Sequence, residues 1–450
     1  MILLGEFALK NHKIQRNKKR ASVRTLGCRL NQYEGLALEA KLVKSGYEIV
    51  PFGEVADLGL INTCTVTNEA DAKSRNVIRR FIRKNPEALT VVAGCYSQIS
   101  ANEVSMIDGV DYVIGNHDKL NFLNYLGVKK PDSPVIVRDR ISREDFSIGF
   151  VGDTNFEQRA NLKIQDGCDF MCTFCVIPFA RGRSRSREWS DVMEEAKGML
   201  DRGVREIVIT GVNLGTYHSN RRSFLDLIDS LSKLDGLTRL RISSIEPTTI
   251  PLELLAWMAD EAHPLMPFLH IPMQAGCNDT LKRMKRKYCL EEMEEFFELA
   301  RRKVPQVCLG TDLMVGFPGE KQSDFEQTCT TFLGNSFTYC HVFTFSERKG
   351  TPANRFSDSI PMNIRRERSA ELRILSSKSR LIFNQKHKNQ ALRVLLENPK
   401  DGKYAGYSDN YIKVVLTQSP PNMANKMVKV KVLEGFPEYV TGELIEVEKI

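Results

Sequence analysis

Short apolar runs of strand length recur along this chain, each followed by a stretch of helical period. That alternation restricts the possible folds more than any other feature. Buried strands are expected at SVRTL (22–26), LGLIN (58–62), LTVVAG (89–94) and YVIGN (112–116). Helical stretches run from Gln32 to about Lys44 and from Asn68 to Lys84, the second stopped by Pro86. Strands that alternate with helices imply βαβ units and a parallel sheet. Residues 21–125 are therefore expected to form an α/β domain of flavodoxin-like type. Residues 126–157 mix Pro, Asp, Ser and Gly with short Val and Ile runs and read as a linker or an irregular edge.

Across 158–380 the alternation resumes, with candidate strands LKIQ (162–165), EIVIT (206–210), LRISS (240–244), FLHIP (268–272), LGTDLMV (309–315) and CHVFTF (340–345). Helices such as Ser190–Arg202 and Glu291–Lys303 separate them. Six βα units suit a partial, TIM-like barrel rather than the eight of a closed one; an open doubly wound sheet is the alternative. The tail, 385–450, changes period: Val428, Val430 and Val432 alternate with lysines, as in a half-exposed strand. Several such strands in a short segment suggest a small OB-like β-barrel.

The length of 450 residues agrees with about three domains. Lys and Arg number 64 against 56 Asp and Glu, a net +8 that permits nucleic acid binding without establishing it. No uncharged apolar run reaches the roughly 18 residues of a spanning helix, so a membrane protein is not expected. At the N-terminus the apolar MILLGEFALK precedes the basic NHKIQRNKKR, the reverse of a secretory signal. Residues 1–20 read as an extension, and the expected location is cytoplasmic. In that setting eleven cysteines favour metal ligation or redox chemistry over a disulfide framework.

QDGCDFMCTFC places Cys168, Cys172 and Cys175 at spacing C-x3-C-x2-C, just past a predicted strand. Thiolates select zinc or iron–sulfur clusters. A structural zinc site wants four protein ligands, and no fourth Cys or His lies near in sequence. A 4Fe–4S cluster held by three thiolates keeps one iron open to a chelating ligand; zinc or plain packing is the alternative. Cys28, Cys64 and Cys95 are far apart in sequence, yet each follows the end of a predicted strand. In a parallel sheet those ends share one edge, so the three can meet, although free cysteines are also ordinary buried residues. Cys289, Cys308, Cys329 and Cys340 lack ligand spacing and read as packing residues.

The C-x3-C-x2-C loop resembles that of the radical S-adenosylmethionine superfamily. The resemblance implies that the cofactor's amino and carboxylate groups bind the open iron and that the sulfonium is cleaved to a 5′-deoxyadenosyl radical. Phe174 matches an aromatic position near the adenine. The segments TLGCRLNQYE, NTCTVTNEADAKSRN and AGCYSQ, followed by that loop, are similar to the methylthiotransferases, and the match runs from about residue 22 to 445. Further matches are ITGVNLG, SSIEP, HIPMQAGCNDTLKRM, GTDLMVGFPGE and FSERKGTPA. The family implies a second 4Fe–4S cluster on Cys28, Cys64 and Cys95, a central radical domain and a C-terminal TRAM barrel that contacts RNA. It also implies cofactor contacts at Thr210, Gly211 and Asn213 for the methionine moiety and at Ser243 and Glu246 for the ribose, where ordinary βα-loop roles are the alternative.

TLGCRLNQYEG is most similar to the branch acting on threonylcarbamoyladenosine in tRNA; the other branches act on isopentenyladenosine in tRNA or on a ribosomal protein aspartate. Departures from the family pattern are Cys277, Phe345 and Glu347, none a cluster ligand. Expected partners are tRNA, an electron donor such as a flavodoxin or ferredoxin, and a sulfur donor. RGRSRSR puts Arg181, Arg183, Arg185 and Arg187 on alternate positions, one face of an extended chain, suited to RNA phosphates or to solvent. His270 and Gln274 can face a cavity or be core residues, and LKRMKRK (281–287) reads as a solvated basic run. GFPG (316–319) lacks the Lys-Ser/Thr of a nucleotide-binding P-loop. A metal-stabilised RNA-binding protein without catalysis is the rival of another class.

Overall fold

The computed structural model describes residues 18–149, 158–418 and 420–448. Most of the expected N-terminal extension and the end of the expected linker lie outside the described residues. The first sheet contains β1 (Arg20–Thr25), β2 (Glu48–Ile49), β3 (Leu58–Thr63), β4 (Leu89–Gly94), β5 (Tyr112–Ile114) and β6 (Val135–Val137). All pairings are parallel, in the order β2-β1-β3-β4-β5-β6, which is the flavodoxin-like winding. β6 falls inside the stretch read as a linker or edge, so the sheet reaches further than the strand signal does. β3 is buried at every position, as a central parallel strand covered on both faces must be.

Helix α1 (Arg29–Lys44) starts three residues before its expected beginning. Asn31 anchors its first turn, donating to the carbonyls of Leu26 at 2.8 Å and Thr63 at 2.9 Å. Helix α2 (Asn68–Lys84) is capped by the Thr67 hydroxyl, with Glu69 and Asp71 in its first turn and Arg83 and Lys84 in its last. These charges complement the helix dipole.

Six further parallel strands follow: β7 (Arg159–Lys163), β8 (Glu206–Thr210), β9 (Arg239–Ile242), β10 (Phe268–His270), β11 (Cys308–Val315) and β12 (Tyr339–Thr344). They form the three-stranded sets β9-β8-β7 and β10-β11-β12, joined by a bridge between Leu240 and Leu265. This is the partial barrel expected from six βα units. Leu162, Ile207, Ile209, Leu240, Leu269 and Leu313 point outward into the main hydrophobic core under the helices. The alternate residues line the concave face, and many are polar: Lys163, Glu206, Arg239, Arg241, His270 and Asp312.

A long helix, Met362–Gln385, leads into β13 (Ala391–Leu396), β14 (Ala405–Ser408), β15 (Lys413–Leu416), β16 (Met427–Gly435) and β17 (Val440–Val447). These close into a five-stranded barrel in the order β13-β14-β15-β17-β16. Val428, Val430 and Val432 fill it while Lys429 and Lys431 face out, as their alternation predicts.

The small barrel is fastened to the floor of the large one by two arginines of β9. Arg239 donates to the carbonyls of Tyr407 at 2.7 Å and Arg393 at 2.9 Å. Arg241 donates to those of Asp409 and Ser408, both at 2.7 Å. Glu206 pairs with both guanidiniums, so these buried charges are compensated. Tyr411 packs on Phe268 with ring centroids 4.4 Å apart. Among the described residues no helix is long and apolar enough to cross a membrane.

Candidate active site

Cys168, Cys172 and Cys175 lie on the loop after β7, at the end of the barrel opposite the floor, and α3 (Cys95–Ile99) of the first domain packs on the helix Ile177–Arg181 that follows that loop. Burial raises the Cys168 thiol to about 11 and the Cys175 thiol to about 12. Uncomplexed, both stay protonated at neutral pH, so a metal must displace their protons. The Cys172 sulfur accepts a hydrogen bond from Arg286 Nη1 at 3.1 Å, and the same guanidinium pairs with Glu246.

Cys28, Cys64 and Cys95 follow β1, β3 and β4 and come together at one sheet edge. Gly27, in the left-handed region at φ +94°, lies against Cys64: a Cβ there would stand 2.6 Å from the Cys64 Cβ and 2.8 Å from its sulfur. Gly94, at φ +101°, turns the chain so that Cys95 faces the same edge, and a Cβ would collide with the Thr63 carbonyl at 2.7 Å. Burial lifts the Cys64 thiol to about 11, and its Cys95 and Cys28 neighbours add to the effect. Asn116 Nδ2 donates to the Cys95 sulfur at 3.4 Å and to the Ala180 carbonyl at 2.6 Å. One amide thus ties the far-apart cysteines to the helix behind the close-spaced ones.

All eleven cysteines are free. Neither trio is drawn within 4.8 Å as a single tetrahedral zinc would require; among the described residues only His270, Asp312 and His341 are that tight. Three thiols apiece, with N–H donors on the Cys172 and Cys95 sulfurs, suit a cubane cluster. A cavity of about 170 Å³ adjoins Cys175 and the segment that follows Cys64. Val66 and Thr67, just after Cys64, line one wall; Phe174, Cys175, Gln274 and Asp312 line others.

The residues expected to hold the methionine-derived cofactor stand at the ends of β8 and β9. Thr210 and Asn213 are buried. Asn213 Nδ2 is buried without a partner, an unused donor of the kind a ligand satisfies. A Cβ on Gly211 would stand 2.7 Å from Leu214. Ser243 directly follows β9, its amide bonded to the Ile209 carbonyl at 3.0 Å. Glu246 is drawn upward in pKa by burial and held back by Arg286.

The arginine run does not present one face. Arg181 lies in a helical turn rather than an extended chain and is 1 % exposed, paired with Glu34 and Asp166. Arg187 is 0 % exposed and pairs with Asp191 and Glu195. The expectation that these two meet RNA phosphates is corrected: buried carboxylates occupy them. Arg185 is mostly buried beside Asp166 at 3.7 Å, whereas Arg183 is exposed. Sequence reasoning missed Arg286, which sits in a run read as solvated. Its burial comes from a turn at Lys285 (φ +56°), which no periodicity signals.

The chain is similar to known proteins over nearly its whole length. Residues 20–115 match Uncharacterized protein family UPF0004, and residues 162–332 match the Radical SAM superfamily. Threonylcarbamoyladenosine tRNA methylthiotransferase MtaB of Bacillus subtilis (strain 168) is 38% identical over 437 residues, 94% of this chain and 96% of that protein. The MtaB of Aquifex aeolicus (strain VF5) is 36% identical, over 86% of this chain and 96% of that one. This chain is a radical SAM methylthiotransferase. Another relative is the tRNA-2-methylthio-N(6)-dimethylallyladenosine synthase of Wolbachia sp. subsp. Brugia malayi (strain TRS), 32% identical over 94% of this chain and 99% of that protein. Among solved structures, the radical S-adenosylmethionine methyltransferase TsrM from Kitasatospora setae superposes with TM-score 0.54 at 15% identity, covering 75% of this chain and 77% of that one. It shares the fold. In the methylthiotransferase the cavity is lined by Cys175 of the close-spaced trio and by Val66 and Thr67, which follow Cys64.

Proposed function

We propose that this methylthiotransferase converts N6-threonylcarbamoyladenosine in tRNA to its 2-methylthio derivative. The reading rests on one observation above all: a single cavity is bordered by residues adjoining both cysteine trios. The first relatives support the nucleoside, being named for threonylcarbamoyladenosine. Cys168, Cys172 and Cys175 would hold one 4Fe–4S cluster, and Cys28, Cys64 and Cys95 a second. When bound, the clusters and S-adenosylmethionine supply the electron, the radical, the sulfur and the methyl group.

The chain's own residues then position and shield. Arg286 clamps Cys172 and Glu246 in one hydrogen-bonded unit. Asn213 and Thr210 offer polar groups at the strand ends, and Phe174 gives the cavity an aromatic wall. Asn116 links Cys95 to the helix that follows the Cys168–Cys175 loop. A flipped-out or loop base reaches such a cavity without opening a duplex, which suits an anticodon-loop adenosine. The C-terminal barrel, of TRAM type, would hold the RNA, with Arg183 a phosphate contact. A small electron-transfer protein and a sulfur donor complete the system, in the cytoplasm where tRNA is.

Nucleoside digests of tRNA from cells with and without the gene test the assignment. Loss of the methylthio form of threonylcarbamoyladenosine on deletion is expected. An unchanged profile for that nucleoside removes the assignment.

A further inference from the structure

The concave face of the large barrel carries a polar cluster that the proposed chemistry leaves unused. His270, Asp312 and His341 project from adjacent strands, with Asp312 directly opposite His341 in register. Their ligand atoms lie within 4.8 Å of one another. His270 is already engaged at both nitrogens: Nε2 is 3.0 Å from Asp312 Oδ1 and Nδ1 is 3.2 Å from the Tyr339 hydroxyl. Asp312 is thereby occupied, while His341 is exposed to the lumen. Such a trio could be read as a site for a divalent cation. Its surroundings argue the opposite sign. Burial and the neighbouring His270 lower the His341 pKa, Asp312 opposes them, and the guanidiniums of Arg380 and Arg29 lower it further, so two arginine charges reach this part of the lumen. A positive field repels a dication and attracts an anion.

The two arginines differ in how their charge is balanced. Arg380 pairs with Glu438 at 3.1 Å. Arg29 has no carboxylate within 4.0 Å among the described residues. It is half-buried, directly after Cys28, and its fixed partner is neutral: Nη2 donates to the Tyr411 hydroxyl at 2.5 Å, with the guanidinium 5.8 Å from that ring. Nearby Arg181, Arg187, Arg286 and Arg348 each pair with at least one acid. Arg29 is thus a permanently charged fork, uncompensated, rooted in the chain directly after a cysteine of the second trio and held by a tyrosine of the small barrel at the floor of the lumen.

The threonylcarbamoyl group of the proposed substrate ends in a carboxylate; an isopentenyl group is a hydrocarbon. We infer that Arg29 is the specificity determinant for the substrate, receiving the carboxylate of the N6-threonylcarbamoyl group, with Tyr411 holding the guanidinium in place. The inference rests on the threonylcarbamoyladenosine reading. A planar fork meets a carboxylate through two parallel N–H donors, which a hydrocarbon tail cannot use. A site that spends a charged donor on one substrate also discriminates against a substrate that leaves the donor unmet.

The test compares anticodon stem-loop RNAs bound to cluster-loaded full-length protein. One RNA carries threonylcarbamoyladenosine, a second the same nucleoside with its carboxylate capped as the amide, and a third isopentenyladenosine. Wild-type protein is expected to bind the first at least about tenfold more tightly than the other two, the range of a hydrogen bond to a charged group. Arg29→Gln is expected to bind the capped and uncapped RNAs equally, and Arg29→Lys to recover part of the preference. Tyr411→Phe frees the guanidinium and is expected to narrow the preference without abolishing it. Iron content, measured on each variant, reports that the clusters are in place, and the capped RNA tests the contact in wild-type protein even where a variant is poorly loaded. If Arg29→Gln keeps the preference for the uncapped carboxylate, or if capping costs wild-type protein nothing while it still modifies threonylcarbamoyladenosine, the inference is wrong and the substrate reading stands. If wild-type protein prefers isopentenyladenosine RNA, the substrate reading itself fails and takes the inference with it.

Discussion

Arg181 Nη1 of the large barrel lies 3.1 Å from Oε1 of Glu34 in the first domain, 147 positions away in sequence. Glu34 also accepts from Lys119 and Lys163, and Asp166 completes the group. Three cations and two carboxylates are thus buried where the two domains meet. Removing one partner from such a network leaves uncompensated charge, at a cost of about 3–5 kcal/mol. Glu34→Gln is therefore expected to loosen the domain contact and lower the melting temperature by several degrees. Thermal unfolding and limited proteolysis within 126–157 would check it. A variant as stable and as protease-resistant as the wild type would show that the network contributes nothing net.

The same carboxylate sets a pH dependence. Burial alone would raise Glu34, but Arg181, Lys119 and Lys163 hold it well below its usual value of 4.5. A depressed pKa gives stability that is present above the unfolded value and lost as pH falls through the folded one. Glu320 acts in the other direction. Burial lifts it to about 7, against Arg368 and the amides of Gly316 and Phe317. The folded chain keeps that proton longer than the unfolded chain, so its contribution declines as pH rises from about 4.5 to about 7. In denaturant titrations, Glu320→Gln is expected to flatten the slope in that window and leave the acid loss below pH 4.5 in place.

Loss of one thiol from either trio is expected to empty that site alone. Cluster-loaded wild-type protein should carry about eight irons per chain, and Cys64→Ala or Cys172→Ala about four, by iron and sulfide assay. The two variants are expected to differ in function. Cys172→Ala should abolish cofactor cleavage under reduction, whereas Cys64→Ala should retain it and lose methylthio product. Wild-type protein with about four irons would mean that the second trio holds no cluster.

Arg183 is the exposed member of its run, beside Asp169 at 3.5 Å. Arg183→Glu is expected to weaken tRNA binding and reduce the slope of log affinity against log salt by about one. Arg187→Gln changes stability instead, since that side chain contacts Glu195, Asp191 and the Lys163 carbonyl inside the fold. Equal salt slopes for Arg183→Glu and wild type would remove Arg183 from the RNA surface.

Sequence patterns gave the strand–helix order because burial on both faces of parallel strands leaves continuous apolar runs. LGLIN, LTVVAG and EIVIT read directly as such strands and lie in β3, β4 and β8. Glu48–Ile49 did not, because two residues carry no such run, and the apolar Val135–Val137 did not stand out because it is three residues long and sits among Pro, Asp and Ser. The cysteine loop was legible from spacing. Bringing Cys28, Cys64 and Cys95 to one edge needed the topological rule that parallel strands end on the same side. Alternating arginines gave a misleading signal. Arg181 and Arg187 look solvated in sequence because their partners Glu34 and Glu195 lie 147 and eight positions away. Burial of paired charge leaves no trace in local composition, which is also why Arg286 went unnoticed.

The arginines of β9 and Tyr411 stopper the lower end of the large barrel with backbone from the small one. The lumen is consequently a blind well on that side. Anything consumed near the cysteine loops enters from the rim, and anything spent there departs by the rim as well. A cofactor and an RNA base that both occupy the well must then take turns at that opening, so the order of arrival and release is written into the plumbing of the fold.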